Sequence, residues 1–245
     1  MSDLHVNKVS RVPRAFTLVE LLVVIGISAV LIAILLPTMS AAQFAANRTK
    51  CLSNLRMMAI AHTMYVGDNR NYMIQSGFSH GGHSLNPEAG WFETLQKYYS
   101  SKLLLRSPVD RSLHWDIPLP PGNTVYRKTS YGMNNFLDPD LCPSGGPYKK
   151  ITQVRQASAT VHFLIMAYTG EFAVADHTHV ENWVGLNVPG RAARNMQIGA
   201  YDRRGGSRWQ SRSGYAFLDG HVEMARFVDV FRTQADNRFN PAVAR

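Results

Sequence analysis

Two short groups of histidine and acidic residues carry side-chain types that bind metal ions. They are His80–His83 and Asp176–His179, and Asp219 with His221 could join them. Imidazole nitrogens and carboxylate oxygens suit zinc and similar ions. However, no HExxH motif, cysteine pair or EF-hand spacing of acidic residues accompanies them. The sequence therefore predicts no metal site and no cofactor, and Asp219 is assigned to turn chemistry.

A basic stretch with interleaved aromatic residues is the one hint of ligand binding. Its members are Arg191, Arg194, Arg203, Arg204, Arg208 and Arg212, with Tyr201 and Trp209. Cations beside stacking aromatics suit single-stranded nucleic acid or a polysaccharide. A solvated basic loop, or a surface that docks acidic residues of the next subunit, explains the same pattern and is favoured. As an alternative, Arg203, Arg204, Arg208 and Trp209 are the candidate polyanion-binding residues.

Composition limits the class of protein. The chain has 245 residues, of which 45% are hydrophobic and 18% charged, and its formal net charge is +9. These values exclude a mostly disordered chain, and a mean hydropathy of −0.16 excludes a polytopic membrane protein. No Walker A loop, GxGxxG or GxSxG motif is present. We predict no catalytic residues and no enzyme activity.

One segment is long and apolar enough to cross a membrane. It runs from Phe16 to Leu36, which as a helix is about 32 Å long, against a bilayer core of about 30 Å. Basic residues precede it, which places the N-terminus in the cytoplasm and the rest of the chain outside. A secretory signal cleaved near Ser40–Ala42 is the alternative, but the apolar run is slightly long for one. Glu20 argues against that alternative too, because a carboxylate in a membrane helix needs a partner.

The helical pattern continues beyond the apolar segment. Pro37 predicts a kink, and an amphipathic stripe follows to about Val66. The apolar side of the stripe comprises Cys51, Leu52, Leu55, Met58, Ala59, His62 and Tyr65. The other side comprises Asn47, Arg48, Lys50, Asn54 and Arg56. The sequence thus predicts one long helix whose second half packs on a globular head.

The stretch Ala15–Ile25 (AFTLVELLVVI) resembles the class III signal of type IV prepilins and type II secretion pseudopilins. In that family a peptidase cuts just before the Phe and methylates the new amino terminus. The resemblance implies cleavage between Ala15 and Phe16, N-methylation of Phe16, and a role for Glu20 in subunit assembly. There the carboxylate would neutralise a neighbour's α-amine. The family usually has Gly where this chain has Ala15.

Later motifs resemble a narrower group, the pseudopilin-like proteins abundant in Planctomycetes, Verrucomicrobia and Lentisphaerae. The matching stretches are Cys51–Arg56, Tyr65, Asp68–Asn69, Trp91, Leu95, Tyr98, Ser130–Asn134 and Phe217–Val222. Two positions depart from that group. Ser107–Pro108 stands where its members often have Cys-Pro, and Trp209 stands where they often have His.

The resemblance implies four segments: a cytoplasmic leader (1–15), the transmembrane half of a spike helix (16–36), its amphipathic half (37–70) and a head (71–245). The implied function is a structural subunit of a type II secretion or type IV pilus-like filament. Implied partners are other pilin-like subunits, prepilin peptidase, an assembly ATPase, inner-membrane platform proteins and the lipid bilayer. The implied location is the bacterial inner membrane, single-pass, with the head periplasmic and the filament periplasmic or at the cell surface. The alternative function is a minor pilin or surface-anchored module whose basic head captures DNA or polysaccharide.

The head is predicted to be an antiparallel sheet, which makes the fold α+β. Ala159–Ala167 is β-branched and apolar, as expected for a buried strand. Tyr215–Met224 predicts a hairpin with Asp219 and Gly220 as a two-residue turn at positive φ. Val228–Ala235 is expected to form a short terminal helix. Cys51 and Cys142 would lie outside the cytoplasm, where a disulfide between them would join the head to the spike.

Overall fold

The computed structural model describes residues 16–77, 90–99, 101–119, 125–139, 141, 148–203 and 205–245. The chain divides into two compact units, Met1–Phe44 and Ala45–Arg245. The longest element is α1, Leu18–Asp68, a helix of 51 residues that supplies parts of both units. The expected long N-terminal helix is therefore confirmed.

In the first unit, the apolar residues of α1 are exposed on every side. The helix contains the one candidate membrane span among the described residues, with a mean hydropathy of 2.9 and none of the window buried. Leu18, Ile25 and Leu36 are 78%, 59% and 64% exposed. A helix that is hydrophobic all round requires an apolar environment, because water would leave each of these side chains solvated.

In the second unit, one face of α1 is buried against the sheet. The buried residues are Cys51, Asn54, Leu55, Met58, Ala59, Ala61, His62 and Val66. This face shares a hydrophobic core with Trp91, Tyr131 and Phe163. The predicted stripe lies on this face, but Asn54 was wrongly assigned to the polar side. Its amide is buried, and a hydrogen bond from Nδ2 to the carbonyl of Leu104, at 3.3 Å, offsets the loss of contact with water.

The sheet has four antiparallel strands in the order β1-β2-β3-β4. They are β1 Tyr131–Met133, β2 Val161–Ile165, β3 Arg212–Phe217 and β4 Val222–Arg226. Every residue of β1 and β2 is buried, and the apolar sequence of 159–167 predicted the burial of β2. A second hydrophobic core contains Trp183, Phe227 and Phe239 together with residues of the sheet. The α+β class with an antiparallel sheet is confirmed.

Short helices complete the second unit. The α-helices are α2 Trp91–Thr94, α3 Val188–Asn195 and α4 Phe227–Val230. The 3-10 helices are Leu95–Tyr98, Lys102–Leu105, Leu113–Trp115, Asn135–Leu137, Ile151–Gln153, Glu171–Ala173 and Val180–Asn182.

The expected helix at 228–235 is only partly present. After α4 the chain becomes extended as β5, Phe231–Thr233, which pairs with β6, Asp236–Asn237. The reason is packing: Phe231 contacts Trp183 and Phe239, with ring centroids 5.4 Å and 6.4 Å away. A core position for this aromatic ring outweighs the local preference for a helix.

Asp219 and Gly220 lie in the loop between β3 and β4. The N–H of Phe217 donates to the carbonyl of His221 at 2.9 Å, which closes a loop of three residues rather than the expected two. Gly220 has φ 93°, whereas Asp219 does not have positive φ. A three-residue loop needs the left-handed conformation only at its last position, which glycine adopts without strain.

Candidate functional site

The first turn of α1 holds its acidic residue in a reciprocal cap. The N–H and hydroxyl of Thr17 donate to Oε2 of Glu20 at 2.9 Å and 2.8 Å. The N–H of Glu20 donates to the Thr17 hydroxyl oxygen at 3.2 Å. This is a capping box, which satisfies two of the N–H groups that a helix start leaves without partners. The Thr-x-x-Glu spacing was visible in the sequence, but its capping role was not recognised there.

The capping box determines which carboxylate oxygen of Glu20 can accept a further hydrogen bond. Oε2 receives both bonds from Thr17, and within the described residues Oε1 has no hydrogen bond. Phe16 and Thr17 precede the first helical residue, and Phe16 is 70% exposed. Ala15 lies outside the described residues, so the cleavage position itself stays a prediction. Glu20 thus presents one carboxylate oxygen at the end of an exposed apolar helix.

Pro37 lies within α1, which is helical on both sides of it. The hydroxyl of Thr38 donates to the carbonyl of Leu35 at 2.7 Å. Such a side-chain bond occupies one carbonyl in the turn that proline disturbs. The helix is continuous here, and the kink at Pro37 stays a prediction.

The structure brings two of the sequence-selected histidines together. Nε2 of His177 lies 3.2 Å from Nε2 of His179. Nδ1 of His177 contacts Oδ1 of Asp176 at 3.0 Å, and Nδ1 of His179 contacts Oε1 of Glu181 at 2.6 Å. Burial alone would raise the pKa of Glu181, but hydrogen bonds, chiefly from His179, hold it below its ordinary value. Glu181 was missed in the sequence because its role depends on the path of the loop.

The remaining histidine candidate that the structure describes, His221, does not join this pair. His221 contacts Asp219 at 2.6 Å and stacks on Phe217, with ring centroids 4.3 Å apart. In the part of the chain that the structure describes, no three His, Cys, Asp or Glu side chains are grouped as metal ligands. His80 and His83 lie outside that part.

The basic stretch does not form a stacking surface as a whole. Tyr201 is 3% exposed and belongs to the core that α1 shares with the sheet. Trp209 stacks on Phe227, with ring centroids 5.6 Å apart, and is only partly exposed. Arg203 and Arg208 are exposed, and Arg204 lies outside the described residues. Binding of a polyanion here stays a prediction, with less aromatic surface than the sequence indicated.

Within the part of the chain that the structure describes, Cys51 is a free thiol, and its side chain is fully buried. The hydroxyl of Ser107 donates to its sulfur at 3.2 Å, and the hydroxyl of Tyr131 does so at 3.6 Å. Cys142 lies outside the described residues, so its pairing with Cys51 stays a prediction. Ser107 instead occupies the position beside the sulfur.

Comparison with known proteins identifies the N-terminal segment. A family model described as the prokaryotic N-terminal methylation motif matches residues 11–36, which include Phe16 and Glu20. The motif supports a type IV pilin-like protein and indicates processing by prepilin peptidase. Together with the apolar helix, it indicates membrane anchoring near the N-terminus. Searches of curated proteins and of solved structures found no match to the chain.

Proposed function

We propose that the protein is a structural, non-catalytic subunit of a pilin-like filament. The observation that carries this proposal is the coincidence of the methylation motif, residues 11–36, with a helix start whose apolar side chains are all exposed. A membrane anchor alone would explain the apolar surface. The motif adds a processing step that frees a new amino terminus beside Glu20.

The exposed apolar surface supplies the driving force for membrane insertion. Burying one Leu, Ile, Val or Phe side chain contributes about 1.5–3 kcal/mol. The large apolar residues of 16–36 are all at least 50% exposed. The bilayer covers them before assembly, and the same segments of neighbouring subunits cover them in the filament. When a subunit enters the filament, contacts with protein replace contacts with lipid, so the apolar surface is never exposed to water.

Glu20 provides specificity that apolar packing lacks. Its Oε1 is left over from the capping box and can accept a hydrogen bond from the α-amine of a neighbouring subunit. A charged amine and a carboxylate are each costly in an apolar medium, and their pairing removes much of that cost. Because the amine exists only after cleavage before Phe16, processing is a precondition for the pairing.

The remaining parts of the proposal follow from this mechanism. Prepilin peptidase makes the cut at the cytoplasmic face of the inner membrane, and the second unit lies in the periplasm. An assembly ATPase and platform proteins, supplied by other chains, lift subunits from the membrane into the filament. The filament is a secretion pseudopilus or a type IV pilus.

Mass spectrometry of the mature amino terminus tests the proposal. The full chain is expressed with and without a prepilin peptidase, beside an Ala15→Leu control that replaces the small residue before the cut. We expect a chain that begins at N-methylated Phe16 only for the wild type with peptidase. A chain that begins near Gln43 would contradict the proposal and indicate an ordinary exported protein.

A further inference from the structure

We propose that His177 and His179 bind a zinc-type divalent metal ion in the second unit. The inference is separate from the filament function and departs from the sequence, which predicted no metal site. It rests on the two Nε2 atoms, which are 3.2 Å apart. Two imidazoles that bind one tetrahedral zinc ion at about 2.0–2.1 Å place their nitrogens about 3.3 Å apart. The rings are therefore already at the separation that a shared ion requires.

The hydrogen-bond partners of the two Nδ1 atoms favour a metal ion between the two Nε2 atoms. Nδ1 of His177 faces Asp176, and Nδ1 of His179 faces Glu181, at 3.0 Å and 2.6 Å. A carboxylate only accepts hydrogen bonds, so each Nδ1 carries the proton and donates it. Where both rings are neutral, this tautomer leaves the two Nε2 lone pairs facing each other, which is the arrangement in which two imidazoles bind one metal ion.

The carboxylates are the supporting groups that metal-binding histidines use. Such histidines almost always donate their other N–H to a carboxylate, a carbonyl or water, which fixes the ring and raises its basicity. Here both rings have a carboxylate in that position. Each carboxylate is held in turn: Oδ2 of Asp176 accepts from the N–H of Gly77 at 2.8 Å, and Oε2 of Glu181 accepts from Nδ2 of Asn135 at 2.7 Å.

The backbone of the loop is also fixed. The N–H of Met133, at the end of β1, donates to the carbonyl of Asp176 at 2.9 Å, and the N–H of Thr178 donates to the carbonyl of Met133 at 3.1 Å. The N–H of His179 donates to Oδ1 of Asn195 at 3.2 Å. The loop therefore extends the edge of the sheet, and a rigid element positions both histidines. Such support reduces the ordering that binding requires.

The site is accessible from one side. The side chain of His177 is 3% exposed, whereas that of His179 is 19% exposed. An ion can thus enter over His179, and the two imidazoles supply two of its coordination positions. Neutral imidazole suits zinc and its neighbours rather than magnesium or calcium, which prefer oxygen ligands.

Equilibrium dialysis of the full chain against Zn²⁺ in detergent micelles tests the proposal. The protein carries no histidine tag, and bound zinc is measured by mass spectrometry. The variants are His179→Gln, which removes a ligand, and Glu181→Gln, which replaces the supporting carboxylate with a neutral amide. His221→Gln is the matched control, because His221 also contacts a carboxylate but, among the described residues, has no second imidazole as a partner.

We expect one zinc ion per wild-type chain and per His221→Gln chain. Glu181→Gln should weaken binding about 10–100-fold, and His179→Gln should weaken it at least as much. Zinc should raise the unfolding temperature of the wild type but not of His179→Gln, because only a bound ion stabilises the folded state. Tryptophan fluorescence without metal checks that each variant is folded. Equal zinc binding by the wild type and His179→Gln, or none by the wild type, would overturn the proposal.

Discussion

Replacing Arg127 with alanine is expected to destabilise the second unit by about 3–5 kcal/mol, because it leaves a buried carboxylate without its cation. Nε of Arg127 donates to Oδ2 of Asp110 at 2.7 Å, and both side chains are fully buried. The guanidinium also donates to the carbonyl oxygens of Ala167, Ala173, Ser130 and Met166. One side chain thus connects the residue before β1, the residues after β2 and the segment that leads to His177.

The chain contains a matched control for this substitution. Arg226 pairs with Asp229 at 2.6 Å, but the two side chains are 45% and 34% exposed. Exposed pairs contribute about 0–1 kcal/mol, so Arg226→Ala should be nearly neutral. A double variant, Arg127→Met with Asp110→Asn, removes both charges and should be more stable than Arg127→Met alone, because no unpaired charge remains buried.

Urea unfolding of the full chain in micelles, followed by tryptophan fluorescence, measures these effects. All four tryptophans follow residue 90, and Trp91 and Trp183 are 0% and 1% exposed, so their emission reports on the second unit alone. A loss below about 1 kcal/mol for Arg127→Ala, equal to that of Arg226→Ala, would refute the reasoning that burial makes this ion pair indispensable.

Two further predictions concern the core. Burial, with a smaller contribution from His62, lowers the pKa of His162 well below its ordinary value, so the unfolded chain binds a proton below about pH 6.5 that the folded chain does not. Through His162 alone, the free energy of unfolding should therefore fall by about 2 kcal/mol between pH 6.5 and 4.5. His162→Leu should lose less stability than the wild type over this range, and identical pH profiles would contradict this. Ser107→Cys should form a disulfide with Cys51, whose sulfur is 3.2 Å from the serine oxygen, and closure of that loop should add about 4 kcal/mol to the free energy of unfolding. Non-reducing mass spectrometry and urea unfolding with and without reductant check the bond, and free thiols in the oxidised variant would contradict it.

Elements with strong local patterns were predictable from the sequence. The uninterrupted apolar run and the stripe that includes Leu55 and His62 predicted α1 to within two residues at each end. The β-branched run at 159–167 predicted β2, and Asp219 with Gly220 predicted the β3–β4 hairpin. In each case the periodicity or the turn type is set by a few consecutive residues, so interactions within the segment are enough to predict the element.

Features that depend on distant contacts were not predictable. The three residues of β1 carry too short a pattern, and Phe231 is extended only because a distant core receives its ring. Arg127 meets Asp110 across 17 positions of sequence, and Glu181 meets His179 only because the loop turns back. The sequence selected the histidines by type, but it could not show that their Nε2 atoms face each other.

Filament yield from Glu20→Ala and Thr17→Ala tests the central claim most directly. Glu20→Ala removes both the cap and the proposed acceptor for a neighbour's amine, whereas Thr17→Ala removes only the side-chain part of the cap and leaves the carboxylate. Both variants lose a side-chain hydrogen bond of the capping box, so helix stability alone would affect them alike. With the processed amino terminus intact in both, we predict that Glu20→Ala abolishes filaments and Thr17→Ala retains them. Normal filament yield from Glu20→Ala would contradict the account.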